Sequence, residues 1–142
     1  MNSASYYRGM FYFISLLFVG DRLIKYLYFA SSESNLCNEG IAFGISVPMW
    51  FILLGTVFFF MLFLQLFCKE RYNLLSTVSG FGLAAIFLGA ISNFFDRVMY
   101  ACVIDYIKMP FINLHFNIAD MFIVFGALLY LSDYLNNSSY DN

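Results

Sequence analysis

Met49 to Phe67 is an apolar run broken only by Thr56 and Gln65. At about 1.5 Å of rise per residue, a helix over this run crosses a hydrocarbon core of about 30 Å. Leu74 to Phe95 is equally long and uncharged, and its small residues, among them Gly80, Gly82, Gly89 and Ala90, let helices approach closely inside a membrane. Phe116 to Leu131 is shorter and contains Asp120, so the helix is expected to run on to about Leu135, with tilt or local thinning making up the deficit. Near the N-terminus, Arg8 followed by Met10 to Gly20 has the look of a secretory signal. Asp21, Arg22 and Lys25 interrupt that run well before the small residues Ala30 to Ser32, which argues for a retained helix over Tyr6 to Ala30. The pattern predicts an all-α membrane protein: one integral membrane domain over residues 1–142, with four transmembrane helices at about 6–30, 49–67, 74–97 and 116–135.

Composition agrees with that solvent. With 62% hydrophobic and 11% charged residues in a chain of 142, a soluble domain would lack polar surface. The net charge of -2 is small and the seven Lys and Arg are scattered, so there is no basic face for nucleic acid. Lys69 and Arg71 fill the short second link and Arg8 precedes the first span, whereas the link from Ser31 to Pro48 has neither Lys nor Arg. The short link and both termini are therefore expected on the cytoplasmic side, and the two longer links on the outer side. Arg97 and Lys108 in the last link run against this rule unless they serve a site there. Cys37, Cys68 and Cys102 show no CxxC spacing and His115 has no partner histidine, so no metal site is expected. Cys37 and Cys102 fall on the same side of the membrane, but free buried thiols are expected rather than a disulfide.

Ionisable groups at membrane depth cost at least about 2.5 kcal/mol each on insertion scales, so each requires a partner or a function. Asp21 and Lys25, four apart, share a helical face and are expected to form a structural ion pair. Gly89, Asn93, Asp96 and Arg97 form a polar stripe at the end of the third span, suited to fastening the bundle or supporting a site. Asp105 and Asp120 flank the last link. A carboxylate in the first helical turn is favoured by the dipole, while apolar burial raises its pKa. Were the chain to fold Asp105 against Asp120, the two would share one proton and offer an acid beside a base. On spacing alone, helix-cap or turn roles remain the alternative.

The motifs together resemble those of the lipoprotein signal peptidase (signal peptidase II) family. They are Asp21-Arg-Leu-Ile-Lys25, Asn38-Glu-Gly40-Ile-Ala42-Phe43-Gly44, Gly89-Ala-Ile-Ser-Asn93-Phe-Phe-Asp96-Arg97, Val103-Ile-Asp105-Tyr106 and Phe116-Asn117-Ile-Ala119-Asp120, in the family's order over nearly the whole chain. The resemblance implies a small extracytoplasmic β and loop element, a catalytic pair of Asp105 and Asp120, and substrate-binding or supporting roles for Asn38, Gly40, Asn93, Asp96, Arg97 and Asn117. Asp21 and Lys25 stay structural. It also implies a bacterial inner-membrane aspartyl peptidase, working without cofactor at the outer face on prolipoproteins whose cysteine carries diacylglyceryl. Membrane lipid is the other implied partner, and a monomer is expected. Several positions depart from the family's usual residues: Leu88, Ser92 and Ala101 stand where glycine is usual, Tyr106 where phenylalanine is, and Met121 where a small residue is. The outer links are also shorter than the family's. The competing readings are a non-catalytic lipopeptide-binding relative, a purely structural helix bundle, or a proton-linked transporter, the last disfavoured by the absence of an internal repeat.

Overall fold

The computed structural model describes residues 3–31, 37–40, 47–69, 78–111 and 114–138. Four helices dominate: α1 (Ser3–Ala30), α2 (Met49–Lys69), α3 (Val78–Tyr100) and α4 (Ile118–Ser138). Short strands β1 (Cys37–Asn38), β2 (Val103–Ile104), β3 (Ile107–Lys108) and β4 (His115–Phe116) form two antiparallel pairs, β1 with β2 and β3 with β4. Residues 74–77, expected to begin the third span, and residues 41–46, including Ala42, Phe43 and Gly44, lie outside the described residues.

By length and composition, Val78–Tyr100 and Ile118–Asn136 are each apolar enough to cross a membrane. The apolar stretch Met49–Gln65 of α2 is shorter, and α1 carries Asp21, Arg22 and Lys25 within its length. α4 begins two residues later than expected, because Phe116 belongs to β4 and Asn117 caps the helix.

α3 is the hub, packing against α1, α2 and α4. Its contact with α4 is backbone-close: a Cβ on Gly82 would lie 2.7 Å from the Gly126 carbonyl oxygen, and one on Gly89 would strike the Ala119 carbonyl. Glycine at these positions is therefore required by the approach of the two helices. α2 meets α3 through rings, with Phe63 stacked on Phe87 at 4.6 Å and Phe60 edge-on to Phe87 and Phe94. Burial is inverted relative to a water-soluble protein. Lys25, Asn117, Asp21, Asp96 and Ser92 are among the largest fully buried side chains, whereas Leu16, Leu54, Phe58, Val124 and Leu128 are exposed on the helix exteriors. An apolar exterior around a polar interior is the arrangement of a chain surrounded by lipid.

α3 ends where Ala101 takes a left-handed conformation (φ 60°), its N–H bonded to the Arg97 carbonyl at 3.1 Å. This is the αL helix stop, at a cost of about 1 kcal/mol for a residue with a Cβ. The turn feeds Cys102 into β2, whose pairing sets Cys37 opposite Ile104. The expectation of free thiols is thereby corrected: Cys37 and Cys102 are joined in a disulfide, their Cα atoms 5.5 Å apart. The β1–β2 register creates this proximity across 65 residues of sequence. The side chain of Cys68 is outside the description.

Candidate active site

Asp105 follows β2 directly, and Asp120 sits in the first turn of α4. Asn117 joins them. Its side-chain amide donates to Asp105 Oδ1 at 2.7 Å, and its backbone N–H donates to Asp120 Oδ2 at 3.1 Å. The Asn117 Oδ1 in turn accepts the Asp120 N–H at 2.9 Å, completing a reciprocal capping box in which the cap residue and the third helical residue satisfy each other. Thus the local signal that starts α4 also orients Asp120.

Two further amides complete the setting. Asn38 on β1 donates to Asp105 Oδ2 at 2.8 Å, and Asn93 on α3 donates to Asp120 Oδ1 at 2.7 Å. Each of the three amides is turned by a second bond to its own oxygen: from Gly40 N–H to Asn38 at 3.0 Å, from Asp120 N–H to Asn117, and from Lys25 Nζ to Asn93 at 2.8 Å. With the oxygen end committed, only the NH₂ end can face the carboxylate. All four carboxylate oxygens accordingly accept a hydrogen bond, and all are presented by groups that cannot flip without losing a partner.

Asp105 is only 3% exposed. Burial pushes its carboxyl up to about 6 from an ordinary 3.8; the Asn38 hydrogen bond opposes the rise, the Asp120 charge adds to it, and the Asn117 bond and the Lys25 charge pull it down. Both aspartates line one cavity of about 750 Å³ together with Asn38, Asn93 and Arg97, and the rest of the wall is mainly apolar, including Leu114, Met121, Val124 and Leu128. A second groove of about 460 Å³ between α2 and α3 also reaches Asn93, Arg97 and Asp120. Arg97 therefore borders both spaces, and its charge interacts with Asp120 and Asp105. Such an arrangement can hold a polar reacting centre against two carboxyls while keeping aliphatic chains in apolar surroundings. Among the described residues, no group of three or more His, Cys, Asp or Glu is placed to hold a metal ion.

The remaining polar residues form a buried cluster that meets the site through the Lys25–Asn93 hydrogen bond. Lys25 lies 2.8 Å from Asp96 and 3.3 Å from Asp21, and Arg22 pairs with the other oxygen of Asp96. Ser92 donates to Asp21 at 2.6 Å and Tyr106 to its second oxygen at 2.8 Å. The expected Asp21–Lys25 pair is present, but Asp96 is the nearer partner of Lys25. Asp96, expected to fasten the bundle or support a site, is fully buried in this ion cluster between Lys25 and Arg22 and is not among the residues lining the cavity. Gly40 reaches the site through its N–H on Asn38. Sequence reasoning missed Arg22, Ser92 and Tyr106. Arg22 could have been flagged as a third charge in an apolar helix, whereas the two hydroxyls show their purpose only once Asp21 lies across from them.

The chain's likenesses fit this geometry. The sequence profile of the family described as Signal peptidase (SPase) II matches residues 13–136. A lipoprotein signal peptidase of Bartonella quintana (strain Toulouse) is 35% identical over 104 residues, 69% of this chain and 61% of that protein. One of Staphylococcus aureus (strain MRSA252) is 31% identical over 126 residues, 85% of this chain and 75% of that protein. This chain thus spans under two thirds of the Bartonella protein's length and three quarters of the Staphylococcus protein's. In fold, the chain is similar to a bacterial membrane enzyme solved by the in meso method at 2.3 Å, with a TM-score of 0.79, 22% identity, and coverage of 94% of this chain and 92% of that one. A second such enzyme, solved at 1.9 Å, gives a TM-score of 0.72 at 24% identity over 89% of this chain. With its profile matched from within α1 to near the end of α4, the chain belongs to the signal peptidase II family.

Proposed function

We propose that this chain is an intramembrane aspartyl endopeptidase that removes the signal peptide from diacylglyceryl-modified prolipoproteins, cutting just before the lipidated cysteine. The observation that carries the reading is the meeting of Asp105 and Asp120 through Asn117 at the polar end of a largely apolar cavity. In this reading the pair shares one proton. The ionised carboxyl takes a proton from water as the hydroxyl adds to the scissile carbonyl carbon, and the other gives its proton to the carbonyl oxygen. Collapse of the tetrahedral intermediate breaks the C–N bond: the first carboxyl delivers its proton to the leaving nitrogen, and the second takes back a proton from a gem-diol hydroxyl as the new carboxyl C=O forms, which restores the shared-proton pair. Asn38, Asn93 and Asn117 fix the carboxyls, Arg97 offers its charge to the peptide, and the apolar wall accommodates the acyl chains. All four helices cross the membrane as one domain, with both termini cytoplasmic and the aspartates at the outer face of a monomer.

The deciding experiment compares diacylated and non-acylated forms of one precursor with the protein in nanodiscs. Cleavage confined to the acylated form is expected. Binding of the acylated precursor without cleavage would instead favour a non-catalytic lipopeptide-binding relative.

The pH dependence has a definite sign. The Asn38 hydrogen bond stabilises the charged form of Asp105, so deleting it raises the carboxyl further above 6. Loss of the shared proton sets the alkaline limb of kcat/KM, and in Asn38→Ala that limb is expected to move to higher pH while maximal turnover falls. A pH–rate profile of both proteins checks this, and a limb displaced to lower pH contradicts it.

A further inference from the structure

Tyr106 follows Asp105 in the link between β2 and β3, and the two side chains turn to different partners. Asp105 turns to Asn38 and Asn117, and Tyr106 turns to α1, where its ring stacks on Tyr28 with centroids 5.7 Å apart and planes at 16°. The phenol oxygen is engaged on both of its hydrogen-bonding sides. It donates to Asp21 Oδ1 at 2.8 Å and accepts the N–H of Ile118 at 3.3 Å. Ile118 is the first residue of α4, two positions before Asp120, and its N–H is one of those a helix cannot satisfy internally. Asp21 is itself anchored without Tyr106, because Ser92 and Lys25 hold its other oxygen. Burial, then the hydrogen bond to the Asp21 carboxylate, push the phenol up, so the hydroxyl keeps its proton and remains a donor.

We propose that the Tyr106 hydroxyl is a positioning group for the aspartate pair: it pins the segment carrying Asp105 to the first turn of the helix carrying Asp120, and so sets the separation of the two carboxyls. The inference rests on the reading of Asp105 and Asp120 as the catalytic pair. The β3–β4 pairing, with Ile107 opposite Phe116, joins the two segments through the backbone, and Asn117 joins the carboxyls through its side chain and N–H. The Tyr106 bond adds a tether through a different side chain, referenced to the ion cluster on α1 and α3. Without it, the link between β2 and β3 that carries Asp105 can shift away from the first turn of α4, which weakens the influence of the Asp120 charge and admits water.

Tyr106→Phe in the full chain tests this, since it keeps the ring on Tyr28 and removes only the hydroxyl. Ser79→Ala serves as control. Ser79 bonds Asp133 at the far end of the α3–α4 contact, so its loss removes one side-chain hydrogen bond remote from the cavity. Expected for Tyr106→Phe is a kcat lower by about tenfold with KM within about twofold, the pattern of slightly misplaced reacting groups. The control is expected to keep wild-type kcat at a similar unfolding midpoint. Isotope-edited infrared titration of the Asp105 carboxyl gives a readout independent of cleavage. Its surroundings (Asp120, Arg97, Lys25) are unchanged in composition, so the midpoint is expected to fall from about 6 only through wider separation and hydration. An unchanged midpoint overturns the proposal, as does unchanged kcat in an enzyme whose wild type cleaves. If the wild type cleaves nothing, the catalytic reading has failed on its own account, and the titration still decides the role of Tyr106.

Discussion

Asp105→Asn and Asp120→Asn are each expected to reduce cleavage of a diacylated precursor to background, a fall of at least about 10⁴-fold, while the protein remains inserted and folded. The size follows from the chemistry proposed: an amide can neither take a proton from water nor return one to the leaving nitrogen, and among the described residues no third carboxyl lines the cavity. The structural cost is smaller and can be located. Asn93 is held with its NH₂ toward Asp120 by Lys25, and Asn38 is held with its NH₂ toward Asp105 by Gly40. An asparagine at either position must bring its NH₂ against another N–H donor at one of its two contacts: a side-chain amide at Asp105, and the Asn93 amide or the Asn117 backbone N–H at Asp120. That unsatisfied contact costs on the order of 1–3 kcal/mol, felt as a lower unfolding midpoint rather than as loss of the fold. Cleavage at wild-type rate by either variant removes the aspartate pair as the catalytic centre. Parallel loss of folded protein and of activity would point to a structural role, so turnover is expressed per folded molecule.

Much of this arrangement was legible in sequence because it depends on local spacing. Apolar runs give the four helices and the separation of four gives Asp21 and Lys25 one face, whereas the Asn117 cap, three residues before Asp120, goes unread and the last helix is expected to begin two residues early. The long-range pairings were not legible. Lys25 finds Asp96 and Arg22 finds its other oxygen across more than 70 residues, a relation set by how α1 lies on α3. The stripe of Gly89, Asn93, Asp96 and Arg97 was visible, but a helix turns 100° per residue and these side chains serve different neighbours. Gly89 admits α4, Asn93 reaches Asp120, Asp96 is drawn into the ion cluster and Arg97 faces the cavities. Ser92 and Tyr106, which stand out in sequence only as departures from a pattern, both deliver hydroxyls to Asp21. The disulfide was missed for the same reason as the ion pairs: nothing at Cys37 or Cys102 reports the strand register that brings them together.

Lys25→Met carries the largest expected effect on stability. The ammonium is fully buried and touches Asp96, Asp21 and Asn93 at 2.8, 3.3 and 2.8 Å. Two carboxylates, one ammonium and the Arg22 guanidinium make a cluster with no net charge, and removal of the ammonium leaves it negative where water is absent. Breaking a buried pair from one side costs about 3–5 kcal/mol, because the surviving charge keeps its desolvation penalty without its partner. Asp96 retains Arg22, but Asp21 is left with the hydroxyls of Ser92 and Tyr106 alone. The strain should therefore concentrate on Asp21, and adding Asp21→Asn to Lys25→Met is expected to recover part of the loss by deleting the orphaned charge. Unfolding midpoints in detergent for the wild type, the two single variants and the double variant measure that coupling. Strict additivity would mean that Lys25 and Asp21 do not act as a pair. A Lys25→Met protein that folds as firmly as wild type yet cannot cleave would move Lys25 from the scaffold to the chemistry, through the Asn93 amide that already links it to Asp120.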